Sequence, residues 1–178
     1  MAIFVLMQKA LTLFIVSFSL LIFTGCPYGS TFSAGDQKKA TLIKKLAGTW
    51  QSNGPGLSKM KITDLKKNLK GYQLNFEPGT TYDPQGMMQL DTTYTVHINK
   101  IEGSMIASVR EPAPEGKFYF YKVEMKAPDT LITYEVDEKR FEKDIYKTAN
   151  EFRTSLASKI REKGTLFIEK KVWVRKKK

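Results

Sequence analysis

The sequence contains very little of the chemistry that metal sites and many hydrolases use. Among 178 residues there is one cysteine, Cys26, and one histidine, His97. Most transition-metal sites need several nitrogen or sulfur ligands, so this composition excludes them. It also excludes a disulfide within the chain and argues against a cysteine–histidine or serine–histidine catalytic pair. We therefore expect no metal and no cofactor.

The acidic residues form no local catalytic pattern either. Glycosidase-type carboxylate pairs need no fixed spacing in sequence. Four acidic side chains lie on or near predicted loops and could do such work: Asp83, Asp91, Glu102 and Glu111. A chain with 18 acidic residues offers such candidates by chance. His97 alternates with apolar residues in a predicted strand, so we interpret it as a surface residue and expect a protein that is not an enzyme.

The N-terminal 26 residues have the pattern of an export signal. Residues 10–23 carry no charge and are apolar, which is short for a transmembrane helix and typical of a signal peptide. Lys9 supplies the preceding positive charge whether translation begins at Met1 or Met7. Small residues then precede Cys26, and this arrangement resembles the lipobox of bacterial lipoproteins. The alternatives are an ordinary signal peptide or an uncleaved anchor in which the cysteine has no role.

The lipobox resemblance implies where the protein resides. In that family the signal peptide, here residues 1–25, is removed, and the cysteine, here Cys26, carries diacylglyceryl and further acyl chains such as palmitate. Two or more acyl chains hold a protein stably on a bilayer, at about 0.8 kcal/mol for each buried CH₂ group. We expect an extracytoplasmic protein anchored in the cell envelope, in the outer membrane if the bacterium has two membranes. Residues 26–37 are predicted to be a flexible, lipidated tether.

Alternation of apolar and polar residues predicts strands through most of the remaining chain. Tyr72, Leu74 and Phe76 share one face of a strand, and so do Tyr94, Val96 and Ile98 in a later strand. Further runs lie at about 48–52, 59–63, 105–109, 117–125, 131–136 and 166–174. We predict one all-β domain at residues 38–178, an antiparallel barrel or sandwich of about eight strands.

One α-helix is predicted before the last strand. Thr148 and Glu151 have the spacing of a capping box at a helix N-terminus. After them an apolar stripe recurs every four residues, at Phe152, Leu156 and Ile160. This helix should cover the strand at residues 117–125, which is apolar on both faces.

Two shorter helical turns are also predicted. Residues 38–46 place Leu42, Ile43 and Leu46 on one helical face. The second turn precedes the α-helix, at residues 138–145.

The start of the first strand carries a family resemblance. Gly48-Thr49-Trp50, with eight strands and an N-terminal helical turn, resembles the lipocalin and fatty-acid-binding (calycin) group. The resemblance implies a barrel whose tryptophan closes one end and whose interior holds one small ligand. The residues predicted to line it are Trp50, Tyr72, Leu74, Phe76, Tyr94, Val96 and Ile98. Lipocalins cap this tryptophan with an arginine, but Arg175 is predicted to lie beyond the last strand. The alternative is a solid-core sandwich or barrel.

Charge is distributed unevenly along the chain. The net charge is +8 for residues 38–70, −5 for residues 71–137 and +8 for residues 138–178. If the first and last strands pair, the two basic parts lie side by side and could attract anionic lipid, at about 1 kcal/mol for each basic residue near the surface. The predicted basic surface contains Lys66, Lys67, Lys70, Arg175, Lys176, Lys177 and Lys178. The predicted extracytoplasmic location argues against nucleic acid as the partner.

Three functions are compatible with these features. The first is a non-catalytic, monomeric lipoprotein that binds a small hydrophobic molecule or lipid inside a β-barrel. The second is a structural or adaptor lipoprotein whose basic surface holds an anionic envelope component or a protein. The third, an envelope hydrolase, requires a catalytic carboxylate that no motif identifies.

Overall fold

Eight strands form a closed antiparallel barrel in the computed structural model, which describes residues 29–52, 59–65, 69–77, 92–141, 145–162 and 166–176. Each strand pairs with its neighbours in sequence, and β8 pairs with β1. The strands are β1 (Gly48–Ser52), β2 (Lys59–Asp64), β3 (Tyr72–Phe76), β4 (Thr93–Ile101), β5 (Ser104–Arg110), β6 (Phe118–Ala127), β7 (Thr130–Val136) and β8 (Phe167–Arg175). The helix α1 (Ala149–Arg161) precedes the last strand, so the predicted fold class is confirmed.

The barrel has two ends that differ in their connections. At one end, the lower end, β2 joins β3, β4 joins β5 and β6 joins β7. The β4–β5 connection is a two-residue turn in which Glu102 and Gly103 both have positive φ, 46° and 77°. At the opposite, upper end lie the β1–β2, β3–β4, β5–β6 and β7–β8 connections. The upper end has the two longest connections, β3–β4 and β7–β8, and α1 belongs to the second of them.

The inner face of the barrel holds the main hydrophobic core. Every strand contributes buried side chains to this one cluster. The alternating rows of β3 and β4 point inward as predicted, and Ala107 and Val109 of β5 continue the pattern. Burial of a large apolar side chain stabilises a fold by roughly 1.5–3 kcal/mol. This core therefore supplies much of the stability of the domain.

A second core lies outside the barrel, under α1. Ile106 of β5 and Phe118 and Phe120 of β6 pack there against Phe152 and Leu156 of the helix. The strand at 117–125 is thus apolar on both faces because each face meets a different core, as predicted. Among the described residues, no helix is both long enough and apolar enough to cross a bilayer.

The N-terminus of α1 is capped by both residues of the predicted capping box. The hydroxyl of Thr148 accepts a hydrogen bond from the Glu151 amide at 3.2 Å. The Glu151 carboxylate accepts one from the amide of Lys147 at 2.8 Å. The reciprocal bond therefore reaches one residue before the N-cap residue itself. A 3-10 turn at Glu138–Arg140 fits the shorter helical turn expected there.

Residues 29–40 differ from the predicted flexible tether. This segment, which we call the strap, crosses the outside of β6, β5 and β4, and Ser30, Ser33 and Ala34 are buried in it. Small side chains permit the close approach: a Cβ added at Gly35 would lie 2.3 Å from Asn99 Cγ. Only the part of the predicted tether before residue 29 lies outside the described residues.

Of the helical turn predicted over residues 38–46, only a 3-10 turn at Gln37–Lys39 is present, within the strap. Beyond it the Thr41 amide donates to the carbonyl of Ile98 at 2.6 Å, so the backbone pairs with β4 and the predicted helix over 38–46 does not form. Ile43 and Leu46 pack against the inner core, but Leu42 is 54% exposed. The single apolar face predicted for these three residues is therefore wrong.

Candidate ligand-binding barrel

The seven residues predicted to line the barrel lie in or against the inner core. Six are buried in that cluster, and the seventh, Phe76, packs against it half-buried at the upper end. The Phe76 ring meets Tyr94 edge-on, with ring centroids 6.5 Å apart. This aromatic pair marks the upper part of the interior.

Trp50 and Arg175 close the lower end together. Arg175 lies in β8, opposite Trp50 of β1, so its predicted position beyond the last strand is wrong. Its guanidinium carbon lies 4.3 Å from the centroid of the Trp50 ring, and Nη1 donates to the Ala47 carbonyl at 2.7 Å. The indole donates to the Leu46 carbonyl at 2.9 Å. Trp50 and Arg175 thus pack together at the lower end of the barrel.

Arg175 is also part of a shallow recess on the lower surface, with Lys45, Ala47, Pro128 and Asp129. The guanidinium donates to the backbone carbonyls of Lys45, Ala47 and Pro128. Each of its three nitrogens therefore makes a bond that holds the fold together. The recess therefore lies where Arg175 joins the segment before β1 to the β6–β7 turn.

Tyr72 links the lower part of the interior to the segment before β1. Its hydroxyl accepts a hydrogen bond from the Ile43 amide at 2.6 Å and lies 3.2 Å from the Ile43 carbonyl, to which it donates. Burial raises the pKa of Tyr72 above its ordinary value, with the Ile43 hydrogen bond opposing this shift and the Asp64 carboxylate adding to it. Tyr72 therefore holds the segment before β1 against the lower end of the barrel, and its ring is also part of the inner core.

We expect Tyr72 to make the fold sensitive to alkaline pH. A phenol whose pKa is raised on folding contributes stability that is complete below its unfolded pKa, about 10, and is lost as the pH rises through the folded value. The free energy of unfolding should therefore fall above about pH 10, and less steeply in Tyr72→Phe. Denaturant titrations at several pH values test this. An equal slope in both proteins would contradict it.

The inner face also carries polar side chains that sequence reasoning did not select. Thr133 accepts a hydrogen bond from the Trp173 indole at 3.0 Å, and Lys171 Nζ lies 4.9 Å from the centroid of that ring. Glu135 pairs in register with Tyr121, whose side chain packs on the inner core, so both point inward. Every second residue after the inward-pointing Leu131 is polar, namely Thr133 and Glu135, and Lys171 lies two residues before the inward-pointing Trp173. The alternation of the sequence could therefore have identified all three polar residues.

His97 and Asn99 occupy the outer face of β4 but are buried, so the surface position predicted for His97 is wrong. Each is only 7% exposed. His97 Nδ1 donates to the Lys70 carbonyl at 2.9 Å, and the Asn99 amide donates to the Asp36 carbonyl at 2.9 Å. The strap and residues 69–71 cover this face of the strand. Both polar side chains therefore fasten chain segments to the barrel.

Two of the four acidic side chains considered in the sequence are described, and they lie at opposite ends of the barrel. Glu102 binds Arg161 at 3.1 Å at the lower end of the barrel. Glu111 accepts a hydrogen bond from the Tyr119 hydroxyl at 2.8 Å at the upper end. Asp83 and Asp91 lie outside the described residues. Within the described ranges, no three His, Cys, Asp or Glu side chains are grouped as metal ligands.

The predicted basic surface is only partly described. Lys70 is exposed at the lower end, and Lys176 follows β8 with its amide bonded to the Thr49 carbonyl at 2.9 Å. Arg175 instead belongs to the Trp50 closure. The remaining members, Lys66, Lys67, Lys177 and Lys178, lie outside the described residues, as does Cys26.

Comparison with known proteins gives no relative for this chain. No family model matches it, and neither a curated protein nor a solved structure matches it.

Proposed function

We propose that the chain is a non-catalytic, lipid-anchored binding protein of the lipocalin type, which holds a small hydrophobic molecule or lipid inside its barrel. Acylated Cys26 would anchor it in the cell envelope, on an extracytoplasmic membrane surface. The observation that carries the proposal is a closed eight-stranded barrel, sealed at its lower end, with aromatic and ionisable side chains inside it. Barrels of this size can hold one small ligand.

The polar inner residues favour a binding role over a purely structural core. Glu135 and Lys171 are half-buried on the inner side of β7 and β8. Taking charged groups out of water costs free energy that an apolar core of the same volume would avoid. Ligand sites typically combine an apolar wall with a few such polar groups. An amphipathic ligand would fit this combination.

Native mass spectrometry of residues 27–178, produced in a bacterial host, tests the proposal directly. We expect a stoichiometric adduct that disappears on denaturation and extracts into organic solvent. If only the bare polypeptide mass appears, added fatty acid or phospholipid should restore the adduct. A protein that takes up neither would contradict a ligand-binding barrel.

Enlarging Phe76 should weaken binding without unfolding the domain. Its half-buried ring lies at the upper end of the inner face, so the larger side chain of Phe76→Trp would crowd the interior. We expect the binding free energy to weaken by about 1–2 kcal/mol, which lowers affinity about tenfold. Displacement of a fluorescent fatty acid measures the effect. The matched control is Gln73→Trp, an exposed position on the same strand. If Phe76→Trp only unfolds the protein, the interior is solid.

The adaptor function is a second candidate because apolar and basic side chains are exposed together at the lower end of the barrel. Leu42 and Leu69 are 54% and 64% exposed there. Exposed lysines flank them, namely Lys44, Lys45, Lys70 and Lys100. Apolar side chains among cations suit a surface that binds an anionic amphiphile or an acidic protein.

Charge reversal separates the adaptor function from ligand binding. The triple change of Lys66, Lys67 and Lys70 to Glu should abolish salt-sensitive retention on anionic lipid vesicles while leaving the ligand adduct intact. The control reverses three exposed lysines elsewhere, Lys61, Lys139 and Lys147. Equal retention of both triple variants would remove this candidate.

A further inference from the structure

The strap fixes the direction in which the chain approaches the barrel. Its first described residues lie at the upper end, where Ser30 and Phe118, the first residue of β6, exchange two backbone hydrogen bonds of 3.0 and 2.8 Å. Gly29 packs there against Lys117, because a Cβ at residue 29 would lie 2.4 Å from the Lys117 Cδ. The strap then descends and ends near Ile98, in the lower half of β4.

Several polar contacts hold the strap along this path. The Ser108 hydroxyl accepts a hydrogen bond from the Ala34 amide at 3.1 Å, and Asn99 holds the Asp36 carbonyl. Arg153 of α1 donates to the carbonyls of Ser33 at 3.3 Å and Gly35 at 2.9 Å. Both the barrel and the helix therefore hold the strap in place. These contacts fix the position of its first described residues at the upper end.

The length of chain before the strap limits how far an anchor can lie from the upper end. Cys26 precedes Gly29 by three residues, and a fully extended chain spans at most about 3.6 Å per residue, or roughly 11 Å in all. An acylated cysteine must remain at the membrane interface for its acyl chains to enter the bilayer. Gly29 and the adjacent upper rim would therefore lie within about 11 Å of that interface.

We propose that the upper end of the barrel faces the bilayer that holds the acyl anchor, so that a membrane amphiphile exchanges directly between bilayer and barrel. This inference rests on the lipid anchor of the proposed function. Two apolar side chains at the upper rim suit contact with a membrane, although charged residues such as Glu115 and Lys117 are exposed beside the β5–β6 connection. Phe76 ends β3 half-buried, and Ile168, opposite Glu135 in register, is 37% exposed. The exposed leucines of the lower end would point away from this membrane.

Short-range quenching measures the orientation in the full acylated protein. After acylation of Cys26, an introduced cysteine is the only free thiol and accepts an NBD label. Glu115→Cys labels the β5–β6 connection at the upper end, and Lys126→Cys labels the lower end of β6; both positions are exposed. The proteins are added to preformed phosphatidylcholine–phosphatidylglycerol vesicles that contain a nitroxide-headgroup lipid.

We expect quenching at residue 115 to exceed that at residue 126 by about threefold, since nine strand residues at roughly 3.3 Å each separate the two ends. Insertion of about ten Gly/Ser residues after Pro27 should reduce this ratio towards one, because a long flexible linker no longer restrains orientation. Equal quenching with the native tether, or stronger quenching at residue 126, would overturn the inference.

Separate measurements distinguish a wrong orientation from a wrong function. Intact mass and flotation with vesicles report whether Cys26 is acylated. A chain without acyl groups overturns both the anchor and the orientation, while leaving the ligand adduct of residues 27–178 untouched. Conversely, the quenching ratio needs no bound ligand, so a barrel that takes up no lipid would fail the binding test alone.

Discussion

Replacement of Phe152 by alanine should lower the free energy of unfolding by about 4 kcal/mol. The Phe152 side chain is fully buried where α1 meets the barrel, and its ring centroid lies 5.2 Å from that of Phe120 and 6.0 Å from that of Phe141. Tyr146 meets it edge-on at 5.2 Å. Alanine would leave a cavity at the centre of the outer core, which the surrounding rings cannot fill by small shifts.

Urea unfolding of residues 27–178, followed by circular dichroism, measures this loss. The matched control is Thr154→Ala, an exposed position on the same helix, which should change the free energy of unfolding by less than about 0.5 kcal/mol. A loss below about 1 kcal/mol in Phe152→Ala would show that α1 is not integral to the domain.

Replacement of Arg175 by alanine should cost about 3 kcal/mol. The substitution removes a cation stacked on a fully buried tryptophan and hydrogen bonds to three backbone carbonyls. A desolvated cation–π contact contributes about 2 kcal/mol, and a hydrogen bond from a charged donor about 1.5–3 kcal/mol, part of which water would restore at this half-buried site. The lower end would lose the group that joins three chain segments.

Arg175→Lys separates charge from geometry. A lysine keeps the positive charge but cannot present the planar fork that reaches several carbonyls at once, so it should recover less than half of the lost stability. Lys176→Ala, at the exposed neighbouring position, controls for net charge. If Arg175→Ala and Lys176→Ala unfold at the same urea concentration, the stacking on Trp50 is energetically unimportant.

Regular alternation made the barrel predictable from sequence. Tyr72, Leu74 and Phe76 are separated by polar residues, and such a run can bury only one face in a sheet. The apolar stripe of α1 was equally regular in the sequence. The strand that became β6 is apolar on both faces, so a second element had to pack against its outer face. These features depend on residues close together in sequence, where period and side-chain type determine the local structure.

The features that sequence reasoning missed depend on contacts between distant segments. The strap is polar and rich in small residues, which is also the composition of a linker, and its burial becomes visible only beside Ser108 and Asn99. His97 does point outward, but the covering segments come from elsewhere in the chain. The role of Arg175 required one more residue in β8 and the pairing of β8 with β1.

The pairing of β8 with β1 also determines when the barrel can close as the chain emerges during synthesis. Ser52 of the first strand pairs with Trp173 of the last, so the ring of strands cannot close until Trp173 is available to pair. Before that moment β1 lacks one neighbour, and contacts of such large sequence separation form slowly. The hairpins from β2 to β7 can pair as they appear, but the barrel would stay open until β8 joins β1.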